Sequence, residues 1–167
     1  MPEPESIPIF AGADADSLPP RGLTGTYALF FRLSSPLEVQ AGRLGRVQLP
    51  AGWVIYVGSA LGAGGLRARL RRHLAADKRV HWHIDALSSR ERPELWLALA
   101  DGRRHECDWA QRLAAHPAAT IPAPGFGSSD CKRGCRAHLI ALPGEIEAGA
   151  ITAWLRQETP ADLTANA

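Results

Sequence analysis

Apolar side chains crowd the stretch from Gly25 to Leu33 (GTYALFFRL), and its aromatic and branched residues following a glycine predict a strand. Ser34-Ser35-Pro36 ends it. Leu37 to Gln40 and Arg43 to Leu49 lie on either side of Ala41-Gly42 and predict a hairpin turning there. After the turn signal Pro50-Ala51-Gly52, Trp53 to Val57 (WVIYV) predicts a short buried strand, and Gly58 to Gly65 (GSALGAGG) reads as a flexible loop. From Leu66 the period changes. Leu66, Leu70 and Leu74 recur at i, i+4 and i+8 in LRARLRRHL, which predicts an amphipathic helix with a basic outer face. Further on, the pattern predicts a short helix over His81–Leu87, a strand over Leu95–Ala100 and a helix over Glu106–Ala115 stopped near Pro117. A Pro/Gly-rich loop over Ile121–Ser129, a last strand over Arg136–Leu142 and a closing helix over Glu145–Leu155 complete the chain.

Strands come first and adjacent, with helices interspersed later. That order predicts an α/β (α+β) fold, a small, mainly antiparallel central sheet flanked by helices, rather than regular βαβ repetition. Residues 1–20 are rich in Pro, Ala, Asp, Glu and Ser without periodicity, and residues 158–167 are similar. Both predict disordered tails around one folded unit over residues 21–157. No apolar run approaches the ~18 residues of a membrane span, and the first 20 residues lack the basic and apolar regions of a secretory signal. The three cysteines, Cys107, Cys131 and Cys135, are too few and odd in number for a disulfide scaffold. A reducing, cytoplasmic setting without a membrane partner is the expectation.

Charge changes the picture. The formal net charge is only +2, yet residues 21–136 carry 18 basic groups, mostly Arg, against 9 acidic ones, while both ends are acidic. A basic middle between acidic ends predicts a polyanionic partner; solvated charge of an Arg-rich composition is the other account.

The chain has two tyrosines, Tyr27 and Tyr56, each in a predicted strand beside a glycine: Gly25-Thr26-Tyr27 and Tyr56-Val57-Gly58. The basic helix follows the second, and Glu106 opens a later helix. This set resembles the GIY-YIG nuclease superfamily, with GTY and YVG in place of its two tripeptides. YVGSALGAGGLRARLRRHL, HWHID and GFGSSDC are similar to the short stand-alone Uri-type endonucleases, domain-of-unknown-function family 123, over roughly residues 22–142.

The resemblance implies a GIY-YIG-like fold and metal-dependent hydrolysis of phosphodiester bonds in DNA or RNA. It implies that Glu106 holds one Mg²⁺ (or Mn²⁺), a hard ligand for a hard ion. It implies that Arg69, directly before the core Leu70, is the catalytic arginine, a role suited to a guanidinium that binds phosphate bidentately and stays charged. Tyr56 is then the expected general base and Tyr27 its hydrogen-bonded partner or a phosphate positioner. A phenol needs nearby cations for such work, since its reference pKa is about 10. Ser59, Arg67, Arg71, Arg72 and His73 are the expected nucleic-acid contacts, with His73 one turn beyond Arg69 on the same face. Two departures stand out: Ser59 replaces a Lys that many members carry, and the extra hairpin over about residues 34–50 separates the two tyrosines.

Two other readings stay open. One is a nucleic-acid-binding module on the same scaffold with weak or lost cleavage. The other is a zinc- or thiol-based structural or redox domain. For the latter, Cys131-x3-Cys135-x2-His138, with Cys107 or His105, offers three or four soft ligands at a spacing unlike the paired C-x2-C arrangement. Lys132, Arg133 and Arg136 would also favour a thiolate. His81 and His83, flanking Trp82, read as packing or nucleic-acid contacts rather than metal ligands.

Overall fold

The computed structural model describes residues 9–156. Its main sheet has five antiparallel strands. In chain order these are β1 (Ile9–Gly12), β2 (Gly25–Leu33), β5 (Gly52–Ala60), β6 (Leu95–Leu99) and β7 (Leu139–Leu142), arranged β1-β6-β2-β5-β7. A separate hairpin joins β3 (Leu37–Gln40) to β4 (Arg46–Leu49). Four helices complete the fold: α1 (Gly65–Leu74), α2 (His83–Ser88), α3 (Glu106–Ala114) and α4 (Ala148–Arg156). No helix among the described residues is long and apolar enough to cross a membrane.

Alternation along the strands sorts the core into two layers. Tyr27, Leu29, Phe31 and Leu33 of β2 face Leu66 and Leu70 of α1, Ile84 and Leu87 of α2, and Val39 and Val47 of the hairpin. Ala28 and Phe30 face the opposite way, toward Trp109, Ala110 and Leu113 of α3 and Ile151 and Leu155 of α4. Because helices cover both faces of the central strands, β2 reads as an unbroken apolar run rather than an alternating one. The basic helix α1 ends under Lys78, whose ammonium donates to the carbonyls of Arg72, His73 and Ala75 and so satisfies its last turn.

The sequence-based expectations need three corrections. Residues 9–20 are not a disordered lead-in. β1 adds an edge to β6 (Ile9↔Leu99, Gly12↔Trp96), the Asp14 carboxylate accepts from the Asp16 and Ser17 N–H groups, and Leu18 is buried. The hairpin does not turn on two residues at Ala41-Gly42. A 3-10 turn at Gly42–Leu44 and Gly45 (φ 74°) form a longer connection, closed by Ala41 N–H to Gly45 O. The glycine-rich loop is shorter than expected, because Gly58, Ser59 and Ala60 remain in β5, paired with Tyr27, Thr26 and Gly25. The tails beyond residues 9–156 lie outside the described residues.

That register explains the glycines of both tripeptides. A Cβ at Gly58 would lie 2.6 Å from the Tyr27 hydroxyl, and one at Gly25 would lie 1.9 Å from the Leu99 carbonyl oxygen. Gly58→Ala is therefore expected to displace the Tyr27 ring and destabilise the fold by about 1–3 kcal/mol. A chemical-denaturation midpoint unchanged from wild type would contradict this packing.

Candidate functional site

Thr26, the middle residue of the first tripeptide, assembles the site. Its hydroxyl accepts the His105 N–H at 2.8 Å and donates to the Arg103 carbonyl at 3.3 Å. These bonds hold the start of α3 against β2 and bring Glu106 within reach of the tyrosines. An open cleft of about 450 Å³ results, lined by Tyr27, Tyr56, Ser59, Arg69, Glu106 and His138 among others. Five of the residues singled out in the sequence for catalysis or phosphate contact thus converge from β2, β5, α1 and α3.

Arg69 is held in place from two sides. Its guanidinium donates to the Ser59 carbonyl at 3.3 Å and lies 4.4 Å above the Trp82 ring. A planar cation stacked on an indole keeps its charge while losing rotational freedom. Glu106, in the first turn of α3, is 14% exposed and accepts from Arg104 at 2.8 Å.

The Tyr27 hydroxyl bonds to His73 Nε2 at 2.8 Å, so its partner is His73 and not Tyr56, whose ring centre lies 6.4 Å away. Burial pushes the Tyr27 hydroxyl up to about 12, with the Arg69 guanidinium pulling it back only in part. Burial also raises Tyr56 well above the ordinary phenol range, and the Tyr27 and Glu106 charges add to this.

Four expected phosphate contacts are placed elsewhere. His73 is 1% exposed and lies behind Tyr27. Arg67 donates to the Leu18 and Pro19 carbonyls and pins the N-terminal segment. Arg72 is bound to Asp85 Oδ2 at 2.6 Å. Arg71 borders a separate hollow with Arg21 and Arg67. Helical periodicity shows which residues share a face, but the neighbours that occupy each face come from distant segments.

Burial holds the His73 ring near a pKa of about 3, against an ordinary 6.5, by disfavouring the imidazolium. Between those values the unfolded chain binds a proton that the folded chain does not. The stability gained from keeping His73 neutral is therefore complete above the unfolded pKa and falls as pH drops below it. Acidification to pH 5 is expected to cost about 2 kcal/mol through His73. Urea unfolding at pH 7 and pH 5 measures the slope, which His73→Gln should flatten; an unaltered slope in that variant would refute it.

Sequence reasoning did not single out Thr26, Arg104 or Asp130, although Arg104 and Asp130 line the cleft. Trp82, named in the sequence only as the residue that His81 and His83 flank, takes a place in the site by stacking on Arg69. His138 stands at the cleft's edge and also belongs to a second group. Cys107, Cys131, Cys135 and His138 offer ligand atoms that all lie within 4.8 Å of one another. His105, the alternative fourth ligand, is instead engaged by Asp101 at 2.6 Å.

A family model described as domain of unknown function DUF123 matches residues 26–157. The chain belongs to that family. The match begins at Thr26, so β1 and the Arg67-pinned segment lie ahead of the matched residues. No match is found among curated proteins or solved structures.

Proposed function

We propose that this DUF123 protein is a metal-dependent endonuclease of the GIY-YIG type, hydrolysing phosphodiester bonds of DNA or RNA. The observation that carries the reading is the convergence of Tyr27, Tyr56, Arg69 and Glu106 on one open cleft. Arg69 offers a preorganised fork for phosphate oxygens. Burial keeps the two phenols protonated, and the Tyr27 hydroxyl is already bonded to His73 Nε2. Tyr56 faces the cleft and is the group suited to take a water's proton, a role that calls for more positive charge beside it than Arg69 alone supplies.

Carboxylate oxygens of Glu106 and Asp130 in the cleft suit Mg²⁺, which is held by one or two carboxylates and keeps waters of its own. Bound there, the ion would lower the pKa of a water and offset charge on the phosphate. The basic stretch over residues 21–136 fits a polyanionic substrate.

The Arg104–Glu106 pair favours a second reading, binding with weak cleavage, because Arg104 competes for the same carboxylate. Plasmid, single-stranded and branched DNA and structured RNA, incubated with Mg²⁺ or Mn²⁺, separate the two. Cleavage lost in EDTA, restored by excess Mg²⁺ and abolished by Glu106→Gln supports the nuclease. Cleavage that survives EDTA or Glu106→Gln overturns the mechanism, and salt-sensitive binding without cleavage favours the second reading.

A further inference from the structure

We propose that Cys107, Cys131, Cys135 and His138 form a closed, structural zinc site, separate from the ion expected at Glu106. The donor set is three thiols and an imidazole, the soft and borderline ligands that zinc selects over Mg²⁺. Their spacing suits the ion. Cys107 Sγ is 3.5 Å from Cys131 Sγ and 3.8 Å from His138 Nε2. A tetrahedral shell with Zn–S bonds of about 2.3 Å has edges of about 3.8 Å. The same sulfur–sulfur distance is far from the ~2.05 Å of a disulfide, and all three cysteines are free.

The loop is built to present these ligands. Cys131 and Cys135 flank Gly134, whose positive φ of 74° turns the chain back between them. The Cys131 N–H donates to the Ser128 carbonyl at 3.0 Å, which holds the start of this turn in place. The His138 backbone is tied down on both sides, its N–H donating to the Phe126 carbonyl at 2.8 Å and its carbonyl accepting the Val57 N–H at 2.9 Å, which fixes where the ring is presented. Three thiolates and a neutral imidazole around Zn²⁺ leave one net negative charge, and Lys132, Arg133 and Arg136 flank the ligands in the chain.

The site also has a structural task. Between α3 and β7 the chain runs from Ala115 to His138 without a helix or strand, a length that packing alone seldom holds in one shape. Cys107 is in the first turn of α3, and His138 directly precedes β7. Zinc would join both to the loop, and Cys107 follows Glu106 directly, so the ion would also fix the turn that carries the cleft's carboxylate. Four protein ligands leave no open position, so the role is structural rather than hydrolytic.

The test is the metal content of the full chain, expressed with zinc and purified under reducing conditions. About one zinc per chain is expected. Cobalt should give the intense visible absorption of a tetrahedral thiolate site when it replaces zinc in the wild-type protein, which avoids reliance on variants that fail to fold. Cys131→Ser and Cys135→Ser should each weaken zinc retention roughly tenfold or more, since even outer-shell changes cost that much. A wild-type chain without zinc and without the cobalt spectrum overturns the proposal, as does a Cys107–Cys131 disulfide found by mass spectrometry in its place. Zinc bound by a chain that cleaves no nucleic acid supports the site and counts against the nuclease reading alone.

Discussion

Arg69→Ala is expected to lower the rate of phosphodiester cleavage by about 10²–10³-fold, the usual cost of removing one preorganised donor to transition-state charge. The expectation rests on how firmly the side chain is held. The Ser59 carbonyl and the Trp82 ring fix the guanidinium on the cleft wall, so little ordering remains to be done when a phosphate arrives. Arg69→Lys should restore little, because an ammonium neither forks onto two phosphate oxygens nor stacks flat on an indole. Arg71→Ala serves as the comparison: it removes the same charge from the same helix at a position bordering a different hollow. Single-turnover rates on the best substrate would measure the difference. Equal losses from the two variants would mean that α1 acts through general electrostatic attraction, and Arg69 would lose its special role.

The contrast between these arginines shows what the sequence could reveal. β2 was legible to its ends because an apolar run between Gly25 and Ser34-Ser35-Pro36 carries a local signal, and the Leu66, Leu70, Leu74 stripe of α1 did the same. The four residues to which the resemblance gives catalytic roles line one cleft. Which of the α1 arginines were free for a ligand was not legible. Arg67 is occupied by Leu18 and Pro19, 49 and 48 positions away, and Arg72 by Asp85. The same holds for Thr26 and His105, bonded across 79 positions, and for Cys107, which joins Cys131 only when α3 is docked on the sheet. β1 was missed because four residues pairing with an edge leave no periodic signal, and its partner is 87 or so positions on.

Asp85→Ala is expected to be among the most damaging single changes to stability, costing about 3–5 kcal/mol. The Asp85 side chain is fully buried, and its Oδ2 accepts from the His81 and Trp82 N–H groups, each at 2.9 Å, and from Arg72 at 2.6 Å. Burial alone would raise its pKa, yet these donors hold the carboxyl below the usual range, so the charged form is the one the fold is built around. Alanine would leave two backbone donors and a guanidinium without their acceptor. Arg72 is 30% exposed and can recover some hydration, which places the loss toward the lower end of that range. The consequence reaches the cleft, because the N–H bonds from His81 and Trp82 fix the segment that carries the Trp82 ring under Arg69. A fully folded fraction of Asp85→Ala, kept at low temperature, should therefore still cleave more slowly than wild type. Urea unfolding measures the stability loss, and the Arg72→Ala, Asp85→Ala double variant measures the coupling. A loss below about 1 kcal/mol, or strictly additive effects, would show that the carboxylate neither supports this fold nor sets the platform on which Arg69 rests.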